Sequence, residues 1–322
     1  MAKPSNQHDS LCICLTPLHV LITEKVSEAT GQHFDKGVYF SYNSDSKTEH
    51  YYNKMASFCK ESEFVLLPND HINSPIKHIK ILIQRWKFFF RFAYFSKFKD
   101  VYFPTSYNTY LMILLAITRR SKTHTFDDGI LNIAYEEIIS PHRAKSVFAK
   151  VYEKLTGVFY SIDDLVKRSK EHYSIYPASQ NVCANVKEVS LLRPSAIHQG
   201  EHENIKRIFI GPAPEADEEV WRKVNNKIQE VMPDEFLPHP RDVHQKAKNV
   251  HYTQTHLIAE DYVIRELEQN PNSAIEVYGL QSSALIHLAK LPNVVVFSFI
   301  DNNPGNSLLI RLMSIYGVNC IN

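Results

Sequence analysis

The stretch "LCICLTPLHVLITEKVSEATG", residues 11–31, contains two kinds of order in succession. Its first six residues form an apolar run in which Cys12 and Cys14 alternate, so both point to one buried face of a strand. Pro17 then stands where a helix can accept a proline, in its first turn, and Gly31 stands just beyond the end of the periodic segment. A buried strand followed at once by a helix is half of a βαβ unit. The same alternation recurs along the chain. "GVYFSY", "EFVLLP", "DVYFPT" and "KTHTFDD" read as further strands, each followed by polar or helical sequence, which implies a parallel sheet. Residues 140–200 break the rhythm with charged, mixed sequence such as "KRSKEHYSIYPASQ". It resumes at "IKRIFIG", "EFLPHP", "AIEVYGL" and "NVVVFSF", separated by the amphipathic patterns "DEEVWRKVNNKIQEVM", "AEDYVIRELEQN" and "SSALIHLAKL". The expectation is two α/β domains of similar, Rossmann-like kind, residues 1–200 and 201–322, with parallel sheets facing a central cleft.

Composition narrows the function. A chain of 322 residues has room for two cores, and 44% hydrophobic with 22% charged residues is the profile of a globular enzyme. A net charge of +1 gives no reason to expect nucleic acid as a partner. Five scattered cysteines, without a CxxC pair or a His-linked metal spacing, suit a reducing cytoplasm. The polar start "MAKPSNQHDS" and the interrupted run after it do not read as a signal peptide, and no run reaches the roughly 18 apolar residues of a membrane span. There is no GxGxxG after a strand, no P-loop, no GxSxG elbow and no DxD. Dinucleotide oxidoreductases, P-loop NTPases and α/β-hydrolases therefore fall away, and no ligand is visible for a metal-bridged diphosphate.

In open α/β sheets ligands bind at the carboxyl ends of strands, and several reactive residues are expected there. His239 lies between Pro238 and Pro240, and two prolines hold the backbone around one imidazole stiff and extended. A bare loop would read the same way. Ser282 and Ser283 open a helix, where they serve as N-cap or as hydroxyl donors to a phosphate at the positive helix end. Asp127 and Asp128, before Gly129, form either an Asx-type turn or a pair of carboxylates at a strand end, fit for a base or a metal. Asp217 sits in an acidic first turn, where a helix-dipole partner is the simplest reading. Finally, "KHIKILIQRWKFFFRFAYFSKFK" (residues 77–99) carries seven Lys/Arg and no acid among dense aromatic and aliphatic residues. It reads either as a core helix with snorkelling cations or as a segment resting on anionic lipid.

Taken together, "CLTPLHVLITEK" (residues 14–25), "DDG" at Asp127–Asp128–Gly129, "HP" at His239–Pro240 and "SS" at Ser282–Ser283 stand in a telling order. In order and rough spacing they resemble the bacterial sialyltransferases, and in particular the lipooligosaccharide sialyltransferases of glycosyltransferase family 52. The resemblance covers nearly the whole chain. It implies a GT-B-like pair of domains, acceptor-side first and CMP-sugar-binding second. It also implies CMP-sialic acid as donor, a galactose-terminated glycan as acceptor, inversion at the anomeric carbon, and neither metal nor cofactor. His239 would be the acid facing the departing phosphate, which Ser282 and Ser283 would bind, with Pro238, Pro240 and Arg241 lining the nucleotide site. Asp217 is expected to be the base, and Asp127 or Asp128 the acceptor-binding residue or rival base. A cytoplasmic protein peripheral to the anionic inner membrane is expected, and a homodimer is compatible with the family. The alternatives are a family member using another nucleotide sugar, and a catalytically silent scaffold of glycan assembly.

Overall fold

The computed structural model describes residues 9–68, 76–138, 146–176, 181–192, 204–213, 216–239, 245–301 and 304–321. The chain divides into two compact units, Met1–Ser190 and Leu191–Asn322. The boundary expected at residue 200 lies outside the described residues, as do Pro240 and Arg241.

In the first unit the strands are β1 (Ser10–Cys14), β2 (Phe34–Ser41), β3 (Cys59–Leu66), β4 (Asp100–Pro104), β5 (Lys122–Phe126), β6 (Ser169–Ser174) and β7 (Val186–Glu188). They form one sheet in the order β3-β2-β1-β4-β5-β6-β7, and every pairing is parallel. Its helices include α1 (Pro17–Thr30), α2 (Ser46–Ala56), α3 (Lys77–Phe92), α4 (Thr109–Ile117), α5 (Val147–Leu155) and α6 (Ile162–Arg168). The opening stretch folds as its residues dictate. Leu11 to Cys14 are fully buried, Pro17 begins α1, and Gly31 closes it in the left-handed conformation at φ 65°. Helix α4, "TYLMILLAI", is apolar all round because it is buried all round, at the centre of a core with Phe88, Phe92, Phe95 and Phe103.

Residues 169–188 show where apolar periodicity misleads. Strands β6 and β7 fall in the stretch whose sequence looks irregular. The inward residues of β6 include His172 and Ser174, both fully buried, so the strand has an interior face that is polar. A hydrophobic pattern cannot reveal it.

The second unit contains β8 (Asn204–Ile210), β9 (Glu235–Leu237), β10 (Ser273–Gly279), β11 (Val294–Ser298) and β12 (Asn319–Cys320) in the order β12-β11-β10-β8-β9. All of its pairings are parallel too. Its helices are α7 (Glu218–Val231), α8 (Ala259–Gln269), α9 (Ser283–Leu288) and α10 (Ser307–Ile315). The buried stripe of α7, namely Trp221, Val224 and Ile228, packs with Phe209, Phe236 and Phe299. Among the described residues no helix is long and apolar enough to cross a membrane.

Candidate active site

Each sheet reverses its direction of growth once. In the second unit the chain passes from β8 to β9 on one side, then crosses to β10 on the other, so a switch point lies between β8 and β10. Crevices at such points are where doubly wound sheets bind ligands. The loops leaving β8, β9 and β10 carry Asp217, His239 and Ser282, and because the three strands are parallel neighbours, all three loops leave from the same edge.

The edge is tightly built. Gly211 N–H donates to Leu237 O at 2.9 Å, tying the ends of β8 and β9 together. A Cβ on Gly211 would stand 2.8 Å from the Phe236 ring and 3.3 Å from His239 N, so this glycine is what lets the strand end pass beneath the histidine. His239 itself is half-buried, next to half-buried Pro238. Asp217 is exposed and caps α7, its Oδ1 accepting from Val220 N–H at 2.8 Å. Ser282 caps α9, its Oγ accepting from Ala284 N–H at 3.2 Å, while Ser283 is exposed in the first turn. The N-cap reading of Ser282 thus holds in the fold, while Asp217, expected as a helix-dipole partner, is itself the N-cap of α7, and capping fixes the direction in which each side chain points.

In the first unit the two neighbouring aspartates have opposite environments. Asp127 is fully buried. It accepts from His172 Nε2 at 2.9 Å, Ser174 Oγ at 2.8 Å and Ile175 N–H at 2.7 Å. The far nitrogen of His172 bonds the Thr125 hydroxyl at 2.8 Å. Burial alone would depress the pKa of His172, but the hydrogen bond and charge of Asp127, with Cys183 beside it, push it up to about 9. The pair is an enclosed imidazolium–carboxylate. Asp127, expected as an acceptor contact or rival base, is thus enclosed by its own fold, its carboxylate held by His172, Ser174 and Ile175.

Asp128 faces outward, with 27% of its side chain exposed, and its Oδ1 lies 2.8 Å from Nε2 of fully buried His19. Nδ1 of His19 accepts from Leu15 N–H at 3.1 Å, so the ring proton of the neutral imidazole sits on Nε2 and is donated to Asp128. The first turn of α1 therefore supplies a donor that reaches past β4 to hold the carboxylate at the end of β5. Asn132 adds to the frame, its Oδ1 accepting from the Thr105 hydroxyl and from Asp128 N–H. Sequence reasoning quoted His19 within its N-terminal motif but gave it no role, and it missed His172, Ser174 and Asn132. The histidine inside "TPLH" was the one available signal; the others come from distant positions that only the sheet brings together.

Known proteins resemble this chain over most of its length. A model described as "Glycosyltransferase family 52" matches residues 35–302. A CMP-N-acetylneuraminate:beta-galactoside alpha-2,3-sialyltransferase of Pasteurella multocida is 27% identical over 97% of this chain and 98% of its own length. An N-acetyllactosaminide alpha-2,3-sialyltransferase of Haemophilus influenzae is 28% identical over 89% of this chain and 90% of its own. A protein of the same description from Neisseria meningitidis is 23% identical over 90% of this chain and 78% of its own. Among solved structures, the glycotransferase of kitacinnamycin is similar over 99% of this chain and 87% of its own, with TM-score 0.53 and 12% identity. UGT2 of Phytolacca americana is similar over 100% and 86%, with TM-score 0.51 and 9% identity. At such identities these two likenesses speak for the fold alone: the GT-B class of two parallel-sheet α/β domains.

Proposed function

The chain belongs to glycosyltransferase family 52, and from that premise we propose that it is an inverting, metal-independent sialyltransferase. It takes sialic acid from CMP-sialic acid and places it on a terminal galactose of lipooligosaccharide or a similar surface glycan. The observation that supports this reading is that the loops carrying Asp217, His239 and Ser282 leave one carboxyl edge, beside the switch point between β8 and β10. The Pasteurella relative, a CMP-N-acetylneuraminate:beta-galactoside alpha-2,3-sialyltransferase, supports this donor and acceptor, and the N-acetyllactosaminide alpha-2,3-sialyltransferases of Haemophilus and Neisseria support the acceptor.

The chemistry follows from the groups. Transfer passes through an oxocarbenium-like centre while negative charge grows on the departing CMP phosphate. His239 donates a proton or hydrogen bond to that phosphate, and imidazole is suited to this near neutral pH. Ser282 and Ser283 hold the same phosphate with hydroxyl donors, and Pro238, Pro240 and Arg241 line the nucleotide. The leaving group is a monophosphate, so the reading needs no cation to bridge a diphosphate. Asp217, exposed and aimed by its bond to Val220, takes the proton of the acceptor hydroxyl. Asp128 has a specific claim as the rival base or as the acceptor contact, because His19 holds it in place at the first unit's strand edge. The enzyme works in the cytoplasm, on an acceptor made at the membrane.

A panel of nucleotides scored by thermal shift tests the donor. A ligand that binds only the folded protein adds about 2.7 kcal/mol of stability at a hundredfold excess over its dissociation constant. CMP should produce the shift and UDP should not. Preference for UDP would transfer the protein to another nucleotide sugar, and indifference to both would make it a scaffold.

A further inference from the structure

The carboxyl edge of the first sheet carries more than Asp128. The loop between β4 and α4, the end of α5 and the start of α6 enclose a cavity of about 440 Å3, within the roughly 300–1,000 Å3 of small-molecule sites. Met112, Val158 and Ile162 are the buried part of its lining. Two of its rings stand open, Tyr107 at 48% exposed and Phe159 at 49%. Neither hangs on a slack segment. Asn108, next to Tyr107, caps α4 by accepting from Tyr110 N–H at 2.9 Å, and its Nδ2 donates to the Tyr42 hydroxyl at 3.1 Å. Phe159 and Tyr160 lead into Ser161, which forms a reciprocal capping box with Asp164. Rings held in this way lose little freedom when a ligand covers them.

The polar lining is mixed in sign. Lys150 and Lys154 are exposed at the cavity, and among the described residues neither is in an ion pair. With them stand Asp163, which accepts from the Tyr135 hydroxyl at 2.6 Å, and Asp164, whose side-chain bonds from Ser161 both go to Oδ2. A phosphate would meet these carboxylates, and a cation would meet the two ammonium groups. A sugar hydroxyl donates and accepts, so both kinds of group serve it, while the C–H face of the sugar ring packs on an aromatic face. The cavity also adjoins Asp128. Thr105 N–H donates to Phe126 O at 2.9 Å, tying the ends of β4 and β5 together. Tyr107 and Asp128 each stand two residues beyond that tie, on neighbouring loops.

We propose that this cavity is a distal acceptor subsite, which takes the uncharged sugar that follows the terminal galactose toward the reducing end of the glycan. Tyr107 and Phe159 pack on the sugar ring, and Lys150, Lys154 and Asp164 bond its hydroxyls. The proposal rests on the reading of a transferase that acts on a galactose-terminated glycan, and gives the rest of that glycan a place. It makes the length of the acceptor a determinant of specificity.

The test is transfer kinetics on a series of acceptors: methyl β-galactoside, which offers the terminal ring alone, lactose, and a galactose-terminated tetrasaccharide. In wild type, KM should fall roughly tenfold from the methyl galactoside to the longer acceptors, with kcat little changed. Tyr107→Ala and Phe159→Ala should each remove most of that advantage, the scale of one lost ring contact. Lys150→Gln with Lys154→Gln should reduce it less. All four positions are exposed, so the variants should fold, and an unchanged melting temperature checks this. Equal KM for every acceptor in wild type overturns the proposal, as does a full length advantage in both ring variants. A rise in KM for CMP-sialic acid alone overturns it too, and gives the cavity to the donor. Saturation-transfer NMR with an oligosaccharide lacking the terminal galactose separates the subsite from the reaction. Binding that Phe159→Ala abolishes, in a protein that transfers no sialic acid, keeps the subsite and removes the transferase reading. Transfer to methyl β-galactoside with neither that binding nor a length advantage removes the subsite alone.

Discussion

The two sheet edges that carry the candidate chemistry are built on opposite principles. In the first unit the polar groups are enclosed and tied to one another. Asp127, His172, Ser174, Thr125 and Asn132 bond one another inside the fold, and Asp128 emerges from it. In the second unit Asp217, His239 and Ser282 stand on capped or proline-stiffened loops, half-buried or exposed, directed by single hydrogen bonds and a tight glycine. One edge ties its charges into the sheet, and the other leaves them at or near the surface. A titratable residue at a strand end is thus no guide to function until its surroundings are known.

The largest effect should come from breaking the enclosed pair. Asp127→Ala leaves a buried imidazolium without its partner and should lower stability by about 3–5 kcal/mol, measured by denaturant unfolding. Unfolding unchanged in that variant would mean the edge is not held together as described.

The same pair should give stability a pH dependence of up to about 3 kcal/mol. The pKa of His172 is about 9 in the fold against 6.5 in its absence. Its contribution is therefore fully present below about pH 6.5 and is lost as pH rises through about 9. The unfolding midpoint of wild type should fall across that window, and Asp127→Asn should remove most of the slope. A slope that survives Asp127→Asn would locate the titration elsewhere.

Residues of the open edge should show the reverse signature, with activity lost and stability kept. His239→Ala should reduce turnover by roughly 100-fold or more, the scale of a lost general acid, with its melting temperature little changed. Asp217→Asn should abolish transfer while CMP still raises the melting temperature, because asparagine keeps the shape and loses the basicity. Asp128→Asn should be the mildest, acting mainly on acceptor KM. If Asp128→Asn is the inactive variant and Asp217→Asn only impaired, the base belongs to the first unit.

Much of this was legible in the residues taken in order. Strand, proline-started helix and glycine stop are local signals, and local signals suffice when each element has a clear apolar period, as in the opening stretch and in α7. The parallel α/β class follows from their alternation. The motif set around Asp127, His239 and Ser282 likewise carries its resemblance to the family in order and spacing alone. The rest depended on residues far apart in the chain. Asp127 and Asp128 differ because His172, 45 residues on, closes over one of them, while His19, 109 residues before, reaches the other. Strand β6 has no apolar pattern because its buried partners are polar. Arg85 and Lys87 are indistinguishable as letters, yet one is packed on Thr156 and the other faces solvent. Periodicity states that a side chain faces one way or the other. What waits on that face, core, carboxylate or water, is supplied by the other strands and helices, and only the assembled sheet decides it.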